Sequence, residues 1–322
     1  MKKMVKKIFS LFKKNIKNLI KNINIIHNKT DNLRLFILFD IIWCKIRYMI
    51  NSNEYRIFEF YLLNSTKRKT YLSSKKYNLI SSFMIDEKLL NVINDKKKLN
   101  VRFNNILNRE VYNSEKLSFK QFEELVHEKN KVICRNNKKS FMNSFEVLDL
   151  KNFRSPAWLL DKMKKDNNHI FECYFNQHKL LNKISDNLVV INIVTVFRRK
   201  ANILTANIKF KDNDEIISSV IDLNKSCTIG HLRYENGEIF KEENNLELPS
   251  LDKCVNMVLE CAKELSEIPI IEWSLCINSR GNVYLMDANI WDDVVFSQIP
   301  EYLSKREGLL PLLKRILKKR KV

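Results

Sequence analysis

Apolar positions along the chain follow two different periods. Over residues 31–130 they recur three and four apart, in stretches such as NEYRIFEFYLLN and FKQFEELVHEKN. That spacing predicts helices with one buried face. From residue 131 onward β-like runs enter. KVICR at 131–135 is short, and LVVINIVTVF at 188–197 is a continuous run rich in β-branched residues, as expected of a strand buried on both faces. ANILTANIKF and EIISSVIDL continue the strand pattern. SLDKCVNMVLECAKELSEI predicts an amphipathic helix with Ser250 as its N-cap. IIEWSLCINSRGNVYLMDANI predicts two strands joined by a turn at Ser279–Asn282, where Gly281 supplies the permissive backbone. A helical front, a mixed middle and a β-rich rear make an α+β protein. No internal repeat and no long Pro/Gly/Ser linker is present.

Two apolar segments need separate treatment. The opening MKKMVKKIFSLFKKNIKNLIKNI places apolar residues at helical spacing and fills the other face with Lys. Such a helix can lie in a membrane interface, or it can pack on the body with its lysines solvated. Lys13, Lys14 and Lys17 interrupt any signal-peptide core and leave the segment too charged to span a bilayer. The most apolar run, LFILFDIIWCKI, is broken by Asp40 and Lys45 and falls short of the ~20 residues of a spanning helix. It predicts a buried helix.

Composition narrows the picture. The 322 residues are 45 % hydrophobic, enough for a folded protein with a substantial core. The formal net charge is +20, but residues 1–30 hold nine Lys and no acid, and 312–322 hold six Lys or Arg and no acid. Without these ends 42 basic residues face 37 acidic ones, so the charge belongs to two tails. A nucleic-acid reader more often carries its basic face on the fold itself, which argues against nucleic acid as a partner here. None of the four glycines precedes Gly230, which excludes a glycine-rich phosphate loop from the first 229 residues. The seven cysteines include no CxxC pair and predict reduced, mostly buried thiols in a cytoplasmic protein.

Several segments together carry a resemblance. FDIIWCKIRYMINSNEYRIFEFYLLNSTKRKTYLS joins a basic helical stretch to a Tyr- and Phe-rich run and then R-K-x-Y. NDKKKLNVRFNNILNR supplies an Asp95–Lys96 motif and ends in Arg109. FECYFNQHKLL supplies Glu172, Gln177 and His178. IEWSLCINSRGNVYLMDAN closes with an acid-x-Asn, Asp287 and Asn289, followed by Gln298 and Pro300. In this order the segments resemble the sugar-transfer-associated ATP-grasp proteins, relatives of alpha-L-glutamate ligases, over roughly residues 38–302.

The resemblance implies an ATP-grasp fold, two α+β lobes clamping ATP, after a helical N-terminal extension. Together with the charge pattern of the two ends it divides the chain into a basic helix at 1–30, a helical region at 31–130 with first-lobe elements, an ATP-grasp core at 131–305 and a basic tail at 306–322. The implied activity is that of a ligase of cell-surface polysaccharide biosynthesis. A carboxylate forms an acyl phosphate with ATP and is transferred to an amine, with a sugar-linked substrate; the anionic membrane surface expected as a second partner rests instead on the basic N-terminal helix. The implied cofactors are ATP and Mg²⁺. Lys96 would hold a phosphate, although it also heads a solvated-looking Lys96–Lys98 run. Arg135 stands where the family has a phosphate-binding Lys, followed by a loop with Lys138, Lys139 and Ser140 in place of glycines. Glu172 would meet the ribose, and Asp287 and Asn289 would hold the metal, since alternate strand positions share one face. The resemblance gives Gln177 and His178 no role beyond a helix cap or packing.

Three departures point to a worn site. An Asn-Thr-x-Arg pattern is replaced by Val189, Val190, Ile191 and Asn192; Ser274 follows Trp273 where the family has Asp; and the loop after Arg135 lacks glycine. Glu272, two residues before Ser274, shares its strand face. The alternative reading is a degraded scaffold that binds a partner or membrane.

Overall fold

The structure, a computed structural model, describes residues 2–317 apart from 108, 128–130, 138–143, 166–168, 213–214, 224–225, 229–230, 236–237, 243–246, 292–293 and 300–305. The expectations attached to Lys138, Lys139, Ser140 and Pro300 therefore lie outside the described residues. The chain forms two compact units, residues 1–83 with 293–322, and residues 84–292.

The first unit is helical. Helices α1 (Lys2–Thr30), α2 (Arg34–Tyr48) and α3 (Ser52–Ile57) are followed by the short α4 (Ser65–Arg68) and by α5 (Ser74–Met84). Polar side chains lock it. Asn51 and Glu54 form a capping box on α3, which satisfies backbone donors at both ends of the box. The other oxygen of Glu54 accepts from Ser74 N at 2.8 Å. Arg56 donates to Asn22 Oδ1 of α1 at 2.8 Å. Arg68 grips Asp40 through both Nη atoms at 2.6 and 2.7 Å. The FEFY run forms an aromatic cluster in which Phe58, Phe60, Tyr55 and Tyr71 stack within 4.8–6.1 Å. Gln298 is buried and pins the rear of the chain to this unit through both the N–H and the carbonyl of Leu72.

Helix α2 corrects one expectation. It is not buried all round: only Ile37, Ile41 and Cys44 reach the interior. The apolar run is dense enough to cover one face and still leave Leu35, Phe36, Phe39, Ile42, Trp43 and Ile46 exposed on the other.

The second unit is α+β and holds two antiparallel sheets. Its first helices are α6 (Glu87–Asn94) and α7 (Lys96–Arg102). A four-stranded sheet follows the order β1-β4-β2-β3, from β1 (Val111–Asn113), β2 (Lys131–Asn136), β3 (Glu146–Asp149) and β4 (His169–Cys173). Helices α8 (Phe119–His127) and α9 (Pro156–Lys165) cover one face through a core of Phe122, Leu159, Leu160, Val132 and Phe171. The eight-stranded sheet includes β5 (Val190–Phe197), β6 (Ala201–Asp212), β7 (Glu215–Asp222), β11 (Ile270–Ile277) and β12 (Val283–Asn289), with the short strands 227–228, 231–235 and 238–242 between them. The helix Leu251–Glu264 packs on it over Ile191, Ile193, Trp273 and Leu275. Every residue of β5 but Phe197 is buried, as its run of β-branched residues predicts. The opposite faces of the two sheets share a third cluster, Ile133, Phe145, Phe175, Val190, Cys276 and Met286.

Ser250 corrects a second expectation. It occupies the N-cap position with φ 50° but caps nothing with its side chain. Its hydroxyl donates instead to the carbonyl of Gly281, 3.0 Å away in the β11–β12 turn. Gly281 has φ +75°, and a Cβ there would crowd Ser250 Oγ, so this turn requires glycine.

Candidate functional site

Local structure fixes each candidate residue before any long-range contact is made. Asp95 caps α7 by accepting from Lys97 N and Lys98 N, which leaves Lys96 as the first helical residue with its side chain turned inward. Glu172 and Arg135 lie on neighbouring strands, where Ile133 pairs with Glu172 and Arg135 with Ile170. Two residues apart and across one ladder, their side chains share a face. Asp287 and Asn289 share a face of β12 in the same way, and Asn289 Nδ2 donates to Asp287 Oδ2 at 3.0 Å. A bulge at Ser274/Leu275 carries the ladder past Met286 and sets Asp287 opposite Ser274.

The five residues meet in one network. Lys96 Nζ lies 2.8 Å from Asp287 Oδ1 and donates to Asn289 Oδ1 at 2.7 Å, Ala288 O at 2.9 Å and Ile93 O at 3.0 Å. Arg135 Nε donates to Glu172 Oε1 at 2.6 Å, and Arg135 Nη1 stands 3.6 Å from Asp287 Oδ1. Lys96, Arg135, Glu172 and Asp287 are each at most 1 % exposed. Asn289 is half-buried.

Arg109 belongs with them and was not among the expected site residues. Its side chain is 3 % exposed, and its Nη1 lies 2.8 Å from Glu172 Oε2 at an angle poor for a directed hydrogen bond. Its Nε donates to Leu285 O and its Nη2 to Met286 O of β12. The sequence signal was the closing Arg of the Asp95–Lys96 motif. Burial lowers the affinity of Lys96 for its proton, and Asp287 opposes that effect. Burial does the same to Arg109, against the pull of Glu172.

The other expected residues make the following contacts. Gln177 donates to Ser185 O and Asn187 O and accepts from Val189 N, which ties the loop that leads into β5. His178 caps the short helix Lys179–Asn182 through Nδ1. Ser274 donates to Asn192 Oδ1 at 2.7 Å. Glu272, on the same face, turns to Lys209 Nζ at 3.2 Å. Asn207 stands beside Asn192 on β6 and is buried, with neither amide atom hydrogen-bonded. A polar stripe thus runs Asn207, Asn192, Ser274, Asp287 across four strands.

Two cavities border the network. One of about 800 Å³ is lined by Arg109, Lys131, Tyr174, Phe175, Asn278 and Tyr284, among others. Lys131 Nζ lies 5.4 Å from the centre of the Tyr174 ring, and the Phe175 and Tyr284 rings meet edge to face at 4.9 Å. The other, of about 550 Å³, is reached through Asn100, whose Oδ1 lies 3.5 Å from Arg135 Nη2.

The donor set does not fit a divalent ion beside Lys96. Mg²⁺ needs oxygens freely directed at one point about 2.0–2.1 Å away. Here Asp287 Oδ1 already accepts from Lys96 and from Ala288 N, Asp287 Oδ2 accepts from Asn289, and Asn289 Oδ1 accepts from Lys96. A lysine ammonium with four oxygens within 3.0 Å occupies the position a metal would need. Among the described residues no group of three or more His, Cys, Asp and Glu side chains is placed to hold a metal.

No protein-family model and no curated protein sequence matches the chain. In structure it is similar to the ATP-grasp ligase PsnB complexed with minimal precursor, at 10 % identity and TM-score 0.43, over 76 % of this chain and 70 % of that one. It is similar to D-alanyl-alanine synthetase A from Vibrio cholerae at 8 % identity and TM-score 0.43, over 70 % of this chain and 65 % of that one. It is also similar to N5-carboxyaminoimidazole synthetase from Staphylococcus aureus complexed with ADP, at 7 % identity and TM-score 0.38. That match covers 62 % of this chain and spans 44 % of the synthetase.

Proposed function

We propose that the chain is an ATP-grasp-type protein related to carboxylate–amine ligases. It receives nucleotide phosphate at Lys96, Arg109 and Arg135 and turns it over slowly or not at all. One observation carries the proposal: Lys96, Arg135, Glu172 and Asp287, singled out through the resemblance from four separate segments, converge on one network on the facing sides of two sheets. Three cations there face two carboxylates. An anion arriving through the Arg109 cavity would exchange with Glu172, whose two oxygens hold Arg109 and Arg135 in place until then. In this proposal Glu172 is first a counter-ion, and the ribose contact implied by resemblance is secondary.

The same geometry speaks for weak chemistry. The Asp287–Asn289 oxygens hold an ammonium, and Ser274 offers a hydroxyl where the family has a carboxylate. Loss of one preorganised charge commonly costs about 10²–10³ in rate. The resemblance extends the proposal to a carboxylate joined to a sugar-linked amine in cell-surface polysaccharide assembly.

Calorimetric titration with ATP, with and without Mg²⁺, tests the proposal alongside a phosphate-release assay. We expect binding that is indifferent to Mg²⁺, that weakens at least about tenfold in Lys96→Met and Arg135→Met, and turnover below ~1 s⁻¹. Absence of nucleotide binding refutes the site, and turnover of ~1–10 s⁻¹, the ordinary enzyme range, refutes the weak chemistry.

A further inference from the structure

The exposed face of α2 is an unusual surface. Leu35, Phe36, Phe39, Ile42, Trp43 and Ile46 are 44–74 % exposed. At about 100° per residue they fall within an arc of roughly 120°. Isolated exposed hydrophobes are ordinary, but six large ones on one helix face mark an interaction site. The buried residues Ile37, Ile41 and Cys44 lie on the opposite face.

The charge around this stripe selects its partner. Exposed Arg34 and Lys45 lie along one edge and exposed Arg47 along the other. The single acid of the helix, Asp40, is taken by Arg68 and by the Tyr55 hydroxyl. On α1, Lys13, Lys17 and Lys21 are exposed together with Ile16 and Ile20. Apolar side chains with Trp among them, flanked by cations on a helix whose one acid is paired, match the boundary between acyl chains and anionic headgroups. A second copy of this chain would bring the same cations against themselves. No described helix is long and apolar enough to cross a membrane, and an in-plane helix needs no such length.

We infer that α2 is a membrane-docking helix that lies in the interface of an anionic phospholipid bilayer, with its Phe36, Phe39 and Trp43 side chains inserted. This inference is independent of the nucleotide proposal and places the inserting residues on α2 as well as on the lysine-rich first helix. The test is co-sedimentation of the full chain with vesicles of equal parts phosphatidylcholine and phosphatidylserine, and with phosphatidylcholine alone. The expected result is binding to the mixed vesicles that falls at least about tenfold in the Phe36→Ser, Phe39→Ser, Trp43→Ser variant and also falls in the Arg34→Gln, Lys45→Gln, Arg47→Gln variant. Unchanged binding of the Ser variant would overturn the inference, because the lysine-rich end would then suffice alone. Failure of the full chain to bind, with sedimentation equilibrium showing a dimer that the Ser variant loses, would overturn it in favour of self-association.

Discussion

In residues 84–292 the side chains of Lys96, Arg109, Arg135, Glu172 and Asp287 lie inside, whereas one helix of the other unit holds Leu35, Phe36, Phe39, Trp43 and Ile46 outside. Both arrangements depart from the usual placement of charge and apolar surface, but they differ in cost. A buried charge is tolerable only while its partners remain, so the network is costly to disturb and structurally exacting. An exposed phenylalanine is exposed in the unfolded chain too, so it subtracts little from folding stability. Its cost is a tendency to associate. The first departure should therefore register in stability measurements, and the second in binding measurements.

The largest effect is expected at Glu172, which holds two guanidinium groups at once. Glu172→Ala leaves Arg109 and Arg135 buried and facing each other, and should cost about 3–5 kcal/mol in denaturant unfolding. A loss under ~1 kcal/mol would mean that water reaches the network and that its charges are not truly buried.

A comparable loss is expected in Lys96→Met, which removes the nearest cation from the buried Asp287 carboxylate, at about 3–5 kcal/mol. Here a second readout sharpens the argument. If the ammonium occupies a cation position, its removal frees the oxygens of Asp287, Asn289 and Ala288. Mn²⁺ should then raise the melting temperature of the variant and leave that of the parent unchanged. Stabilisation of the parent by Mn²⁺ would show that Lys96 and a metal coexist.

What could be read from sequence follows the same division. The elements with a strong period were legible: the β-branched run of 190–197, the strand pair at 270–289 and its Gly281 turn all formed as their patterns require. The candidate residues were singled out through the resemblance, and only for Asp287 and Asn289 did strand spacing also place both side chains on one face. What they pair with was not legible. Lys96 sits in a run of three lysines that looks solvated, and only the fold reveals that Asp95 caps the helix and sends Lys96 inward. Arg109 was visible only as the end of a motif. Exposure of α2 was hidden for the opposite reason: a run apolar on nearly every side reads as buried, and no local rule says that only one face is covered. The Ser250 cap failed because a hydroxyl chooses among acceptors that are distant in sequence, here Gly281 O.

A smaller effect is expected at Asn207, on the buried side of the comparison: it is polar, buried and without a hydrogen bond to either amide atom. Asn207→Leu removes an unsatisfied amide while roughly keeping its volume, and should stabilise the chain by about 1–2 kcal/mol. If the polar stripe from Asn207 to Asp287 instead serves a ligand, the same variant should weaken nucleotide binding. Destabilisation would show that the amide is satisfied by ordered water and that the stripe is structural.

The smallest effect is expected on α2. Phe39 is 65 % exposed and Trp43 58 % exposed. Their replacement by Ser removes apolar surface that folding does not bury, and the surrounding backbone bonds are those of an ordinary helix interior. Ser has a slightly lower helix propensity than Leu-like residues but differs little from Phe and Trp. The expected change in unfolding free energy is therefore within about ±0.5 kcal/mol for each, with the midpoint measured in the absence of lipid. A loss of ~2 kcal/mol or more would mean that this face is covered in solution. In that case the contrast between the two units would disappear, because the apolar side chains would then belong to a core like any other. A null result in water, together with lost vesicle binding, would instead separate the stability of α2 from its use as a docking surface.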